Sequence, residues 1–345
     1  MADKLTVHGY LSQAYADSSD GQVLGVPTDG TTDYRTMALQ FRYAVTDKDS
    51  VVVQLSHETQ GESPFDDLRD EIELDWAFYE HAFDAGTTLR VGRIPIAFGI
   101  YNELRDVGTL LEFYRPPTSI YFEGAFSNEA VDGLSLSHRF DWSWPLTVDV
   151  YYGGWQRYDS SAPITDVGVG EVDDAIGGQL WLETPVDGLR FGLAAQTWDL
   201  SGGLTRLRSG EEDPADVILA SFELSRERWY IRGEWQEIAT SILVAPNLDY
   251  TAWYAQAGVR FGSWGVNLLF ENSDIEGTGG FAPVGIDPFY EDTVLGVTYS
   301  FSPSVVAKAE YHDIETGLFE LDALAPELPE DRATELFIAS LSVSF

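Results

Sequence analysis

The chain has no cysteine, two methionines and 20 basic residues against 57 acidic ones in a length of 345. Without cysteine there are no disulfides, thiolate metal sites or cysteine nucleophiles, and such usage fits an oxidising compartment where stray thiols are a liability. The shortage of Lys and Arg leaves a net charge of −37, which repels a phosphate backbone and excludes nucleic acid as a partner. No apolar run approaches the roughly 18 residues of a membrane-spanning helix, so a helical membrane protein is excluded. The opening Met1-Ala2-Asp3-Lys4 has neither the basic nor the apolar segment of a signal peptide, so the expectation is either a cytosolic protein or a mature form with a starter Met. At 44% hydrophobic and 13% aromatic residues the chain is too apolar for a disordered acidic polymer.

Helical periodicity is nearly absent, and alternation takes its place. Phe337, Ala339, Leu341, Val343 and Phe345 share one parity and Ser340, Ser342 and Ser344 the other. Ile218, Ala220, Phe222 and Leu224 alternate with Ser221, Glu223 and Ser225, and Leu295, Val297, Tyr299 and Phe301 with Gly296, Thr298 and Ser300. Successive strand side chains point to opposite faces, so each segment has one apolar and one polar face. About sixteen such segments are expected, near 5–15, 34–45, 50–59, 71–83, 87–95, 128–140, 144–154, 174–184, 188–199, 215–226, 228–238, 250–262, 264–273, 291–301, 303–313 and 334–345. Ser119-Ile120-Tyr121-Phe122 and Phe281-Ala282-Pro283-Val284 leave counts of fourteen or eighteen open. Short turns, such as Asp47-Lys48-Asp49 and Gly262-Ser263, alternate strictly with long polar loops. A meander with tight turns at one end and long loops at the other is a pattern of outer-membrane barrels.

A soluble sandwich would bury the apolar face and solvate the polar one. Aromatic residues argue against it. Phe83, Phe140, Trp142, Trp144, Trp229, Tyr230, Phe261, Trp264, Phe301 and Phe345 crowd the strand ends beside the tight turns. Tyr152, Trp155, Trp198, Trp235, Trp253, Phe270 and Tyr311 lie toward the loops. Rings at two levels flanking an apolar band form the interfacial girdles of a barrel in a bilayer. An even number of strands suits closure, which removes every sheet edge, as hydrocarbon demands.

Three stretches then resemble Gram-negative outer-membrane porins. The terminal Leu341-Ser342-Val343-Ser344-Phe345 resembles the aromatic-ended signal by which the barrel assembly machinery recognises its substrates, Phe345 being the signal residue. Val7-His8-Gly9-Tyr10-Leu11 resembles the first strand of mature porins, and Val91-Gly92-Arg93-Ile94-Pro95-Ile96-Ala97-Phe98-Gly99 with Arg115-Pro116-Pro117 resembles porin-like segments of proteobacteria. The resemblance implies a 16-stranded antiparallel transmembrane β-barrel spanning 1–345 as one domain, with short periplasmic turns and long extracellular loops. It also implies frequent homotrimers and a third loop folded inward as a constriction.

That loop, about 96–127, is the longest. Asn102 could cap a helix in which Leu104, Val107, Leu110, Leu111 and Tyr114 recur at helical spacing before Pro116-Pro117 stops it. Such a helix would pack either on the rim or, as the resemblance has it, on the inner wall, placing Glu103, Arg105, Asp106, Glu112 and Arg115 at or beside the opening. Strand parity assigns Arg42, Arg90, Arg139, Arg190, Arg232, Glu234, Arg260, Glu271, Lys308 and Glu310 to the pore wall. Any one of these arginines could equally brace the wall through a salt bridge. Arg90 and Arg93 conflict in parity, which a bulge near Gly92 or an early strand end before Pro95 would resolve.

A lumen with both signs of charge filters without tight binding. Roughly half of the acidic residues fall in the long loops, against about seven basic ones there; such a mouth favours cations over about a Debye length. The same loops could instead keep the surface soluble, or hold divalent ions such as Ca2+ bridging to lipopolysaccharide phosphates. No catalytic residue and no organic cofactor is expected. The five histidines, His8, His57, His81, His138 and His312, are scattered, and no G-x-S-x-G elbow, P-loop or dinucleotide fingerprint occurs. The expected function is passive diffusion of ions and small hydrophilic solutes, with a cation preference. A channel specific for sugars or small acids is the alternative, with Tyr79, Tyr151, Trp181 and Trp198 at inward parity. A barrel-borne hydrolase and a closed structural barrel are further rivals.

Overall fold

The computed structural model describes residues 4–63, 72–83, 86–121, 129–157, 170–202, 213–242, 245–277, 288–316 and 333–345. Sixteen strands follow one another as an antiparallel meander. They are β1 (Leu5–Ser18), β2 (Thr31–Ala44), β3 (Asp49–Gln60), β4 (Glu73–Ala82), β5 (Thr87–Pro95), β6 (Ala130–Phe140), β7 (Leu146–Arg157) and β8 (Gly170–Glu183). The second half comprises β9 (Leu189–Gly202), β10 (Asp213–Ser225), β11 (Trp229–Ile242), β12 (Ala245–Phe261), β13 (Trp264–Gly277), β14 (Tyr290–Ser302), β15 (Val305–Thr316) and β16 (Ala333–Ser344). Each strand pairs with its neighbours in sequence, and β16 pairs with β1, closing the barrel. At the seam Gly9 and Phe345 exchange both backbone hydrogen bonds, at 3.1 and 3.0 Å.

The alternation in the sequence becomes two surfaces. Leu341, Leu295, Ile218 and Leu193 stand exposed on the outside, while Ser342, Ser221 and Asn267 are buried inside. Outward-facing Phe83, Trp142, Trp144, Phe261, Trp264 and Phe301 form one aromatic level at the short turns, and Tyr152, Trp235, Trp253, Phe270 and Tyr311 form a second. Three rings expected in these girdles belong inside instead: Tyr230 is buried in the lumen, and Trp155 and Trp198 pack against the lumenal core. Trp155 shares the parity of inward Tyr151, and the register shift beside it adds its extra residue to β8 instead.

Two further expectations change. β11 and β12 run on to Ile242 and from Ala245, so the sixth connection is not a long loop. The segment 119–122 is not a strand, since Thr118–Tyr121 form a four-residue helix, α1, the only helix among the described residues. The 281–284 segment and many acidic loop residues, Asp66, Asp67, Asp70 and Glu320 among them, lie outside the described residues. No helix among the described residues is long and apolar enough to cross a membrane, which says nothing of strands.

The barrel is not hollow. Ile96, Phe98, Ile100, Tyr101, Leu111 and Phe113 from the third loop, L3 (residues 96–129), pack against inward side chains such as Leu219, Tyr254, Leu269 and Val294. Each such side chain, fully buried, contributes about 1.5–3 kcal/mol, so L3 is held across the lumen chiefly by apolar contact.

Candidate functional site

L3 leaves β5 after Pro95 and crosses the interior. Its expected helix over 102–114 is absent; in its place is a chain of tight turns, with Leu104 N–H donating to Tyr101 O, Val107 to Leu104 O and Leu110 to Val107 O. Side chains of the segment tie it to the backbone on either side. Asn102 Nδ2 donates to Ile96 O at 3.0 Å, and Arg105 Nη2 to Tyr121 O at 2.6 Å. Pro116-Pro117, read as a stop, instead precedes α1, where a missing N–H costs nothing in the first turn.

The wall clamps L3 at several points. Glu234 on β11 accepts from Ile100 N (2.9 Å), Tyr121 Oη (2.5 Å), Tyr254 Oη (2.8 Å) and Ser221 Oγ (2.5 Å). Glu271 on β13 accepts from Ser119 N at 2.7 Å, and Lys308 Nζ on β15 donates to Phe113 O at 2.5 Å. Glu112 lies between Arg232 Nη2 (2.6 Å) and Arg260 Nη2 (3.0 Å). Arg105 is buried against Glu129 at 3.2 Å, and Arg115 lies over the Tyr34 ring and donates to Gln60. Arg232, Glu234, Glu271, Lys308 and Glu310 therefore point inward as parity predicts, but they lie buried under L3. Of the five loop residues expected at the opening, Arg105, Glu112 and Arg115 are spent on anchoring.

Two cavities lie beside L3 toward the short-turn end. One, of about 450 Å³, runs along β5–β9 and carries Arg90, Arg139 and Arg190 with Asp149, Glu183, Tyr151 and Trp181. The other, of about 390 Å³, lies against β1–β4 and includes Tyr10, Gln40, Gln54, Trp76 and Asp106. Glu103 and Leu104 line both, so this piece of L3 is the partition. At it, Arg90 Nη1 reaches Glu103 Oε1 at 3.3 Å, while Arg90 Nε pairs with Glu80 Oε2 at 3.0 Å and Arg42 pairs with the other Glu80 oxygen. Arg139 pairs with Glu183 at 2.8 Å; Arg190 pairs with Glu223 at 2.6 Å and lies 4.2 Å from the Trp181 ring centroid. Desolvation inside the barrel pushes the Glu103 carboxyl up, against the pull of Arg90. Asp106 is pushed well above the usual carboxylate range, first by burial and then by Glu129, Glu58 and Asp75.

Glu80 and Trp76 were not anticipated, because a register shift at Gln54/Leu55 bulges β4 at Asp75. The bulge leaves Glu73 and Asp75 inward but also turns Trp76, Phe78 and Glu80 inward, and it sends Tyr79 outward, contrary to its expected parity. No single-sequence pattern marks such a bulge. The Arg90/Arg93 conflict has a different outcome from either expected one. Pairing along β5 is unbroken on both sides, so Arg93 stays on the outer face opposite Asp132. Gly92 has a positive φ of 132° where any side chain would meet the Ala77 carbonyl. Among the described residues no group of three His, Asp or Glu side chains is placed to hold a metal ion.

At the level of sequence, no protein-family model and no characterised protein matches the chain. At the level of structure the likeness is extensive. OmpT of Vibrio cholerae, an outer-membrane protein, superposes with a TM-score of 0.64 at 13% identity, covering 99% of this chain and 97% of that one. OmpF of Salmonella typhi, in complex with daunomycin, gives the same values. An anion-selective porin from Comamonas acidovorans gives a TM-score of 0.60 at 12% identity, over 99% of both chains. The fold is that of the bacterial outer-membrane porins.

Proposed function

We propose that this chain, built on the fold of bacterial outer-membrane porins, is a passive outer-membrane channel for ions and small hydrophilic solutes that prefers cations. The observation that carries the reading is the pair of cavities beside L3, lined by charges of both signs and divided by Glu103. Charged groups on both wall and loop set a field across the path of a solute without a tight site. The excess of 57 acidic over 20 basic residues gives the sign of the preference. A homotrimer in contact with lipid and lipopolysaccharide is part of the proposal, supported by a trimeric form of the Vibrio cholerae OmpT structure.

The reading is of a channel and not of a hydrolase. His81, His138 and His312 pair with Asp49, Thr87 and Asp292 in three separate places, and the hydroxyls beside the first and last, Thr46 and Tyr290, donate to the carboxylate rather than to the histidine. A substrate-specific channel is the second reading, favoured by the apolar packing of L3 across the lumen and by Trp181 with Arg190 in the larger cavity.

The test is current through the purified, folded protein in a planar bilayer under a KCl gradient. Discrete steps with a cation-selective reversal potential are expected, in groups of three if the trimer holds. Concentration-dependent block by a sugar or small acid would move the weight to the second reading. An absence of current from folded protein would overturn both.

A further inference from the structure

We propose that the cavity between β1–β4 and residues 103–107 of L3 is a binding subsite for small organic ammonium ions. Its volume, about 390 Å³, lies within the range of small-molecule sites. Its lining differs in kind from that of its neighbour across the partition. The larger cavity carries three arginines, whereas no Lys or Arg lines this one. It presents two carboxylates from L3, Glu103 and Asp106, opposite two aromatic side chains from the wall, Tyr10 and Trp76. An anion would meet two carboxylates here, His8 being the one basic side chain in the lining. A bare metal ion finds no set of three ligating side chains among the described residues. An ammonium group carried on an apolar body matches both halves of the lining, because a cation gains from a carboxylate and from the face of an indole at once.

Local structure supports an unfilled role for these groups. The β4 bulge at Asp75 brings Trp76 inward, and the buried Trp76 Nε1 has no hydrogen-bond partner among the described residues. The polar floor is already saturated along one line, with Gln40 Nε2 donating to Gln54 at 2.8 Å and Gln54 Nε2 to Asp75 at 2.5 Å. Asp106 is held less firmly, accepting from Tyr10 Oη at 3.4 Å. Facing it are Glu58 from β3, Asp75 from β4, Glu129 ahead of β6 and Arg105 from its own loop, so acids outnumber bases around it. Burial and these acids raise the Asp106 carboxyl, and a bound cation supplies the counter-charge it lacks. Binding therefore tightens as pH rises.

The inference goes beyond conduction, and binding is measured apart from current, so a failed channel reading and a failed binding reading are told apart. Choline chloride and its neutral isostere 3,3-dimethyl-1-butanol are titrated into the full-length, detergent-folded protein by calorimetry. Choline is expected to bind at least about tenfold more tightly than the isostere, a difference of about 1.4 kcal/mol. Asp106→Asn, Glu103→Gln and Trp76→Leu are each expected to weaken choline severalfold, while Trp76→Phe retains most of the affinity. Arg139→Gln, in the other cavity, is expected to change nothing. Equal binding of the two probes overturns the proposal, as does wild-type affinity in both Asp106→Asn and Trp76→Leu. No choline binding to protein shown to be folded by its circular dichroism overturns it too.

Discussion

Arg90 Nη1 on the wall and Glu103 Oε1 on L3 lie 3.3 Å apart, at the one piece of loop shared by both cavities. The pair is about a third to a half exposed, 32% and 48%, and exposed pairs contribute little to stability, about 0–1 kcal/mol. Its effect is on the path of ions. Glu103→Gln is expected to leave the melting temperature nearly unchanged while lowering cation over anion permeability, read as a reversal potential under a KCl gradient. An unchanged reversal potential would remove Glu103 from the path.

Glu112 presents the opposite case. It and Arg232 are only 11% and 9% exposed and sit 2.6 Å apart. Removing one partner of a buried pair leaves an uncompensated charge, at about 3–5 kcal/mol. Glu112→Ala is expected to loosen L3, seen as faster proteolysis within 96–121 and a lower melting temperature. Glu112→Leu with Arg232→Met should recover most of the loss, since an apolar pair of similar volume needs no counter-charge.

Asp106 gives the fold a pH dependence of definite sign. A carboxyl raised in the folded state binds its proton more readily there than in the unfolded chain. The associated stability is therefore fully present below the ordinary aspartate range and is lost as pH rises through the higher folded value. Melting of the wild type is expected to fall more than that of Asp106→Asn, which keeps a neutral side chain throughout, as pH rises above the ordinary aspartate range. Parallel melting curves for the two proteins would contradict this.

Gly108 fits against the Oγ atoms of Ser12 and Ser342 so closely that a Cβ there would collide with both. Gly108→Val is expected to lift L3 off the β1/β16 wall at about 1–3 kcal/mol of overpacking, raising conductance. Removing both hydroxyls in Ser12→Ala and Ser342→Ala should partly rescue a Gly108→Ala variant, read as channel step size.

Phe345 closes the barrel through its backbone, and its ring lies over Gly9. Deleting it separates two roles. If the residue acts as an assembly signal, the outer-membrane level falls while refolding in detergent is nearly unimpaired. If it acts only in closure, both fall together.

The barrel was legible because one inward and one outward residue per pair is a demand that repeats along every strand. β16 shows it with Phe337, Leu341 and Phe345 out and Ser340 and Ser342 in, while toward its loop end apolar Leu336 and Ile338 turn inward. Parity fails where the count of residues between two points changes, as at Asp75, and one bulge there hid Glu80 and Trp76. L3 was illegible for another reason. Leu104 and Leu111 pack into the lumenal core while Val107 lines a cavity, and Glu234, Lys308 and Glu271 fix the backbone of L3 to the wall at Ile100, Phe113 and Ser119. Those partners lie more than a hundred residues away in the chain, beyond the reach of local pattern.

Gly108 touches the first strand and the last, and Thr109 Oγ1 donates to Ser344 Oγ, 235 positions further along. Ser12 and Ser342, which form that seat, are 330 positions apart. The seat does not exist until β1 and β16 have met, so L3 cannot complete its docking on an open sheet. Closure of so long a loop carries an entropic penalty before any contact offsets it, and contacts this distant in sequence form slowly. Until then the apolar side chains of L3 and their inner-wall partners remain uncovered, and the half-assembled chain is the species most prone to aggregate. The middle of the sequence thus acts as a latch on its two ends: the last piece to find its place, and the one that makes barrel closure hard to reverse.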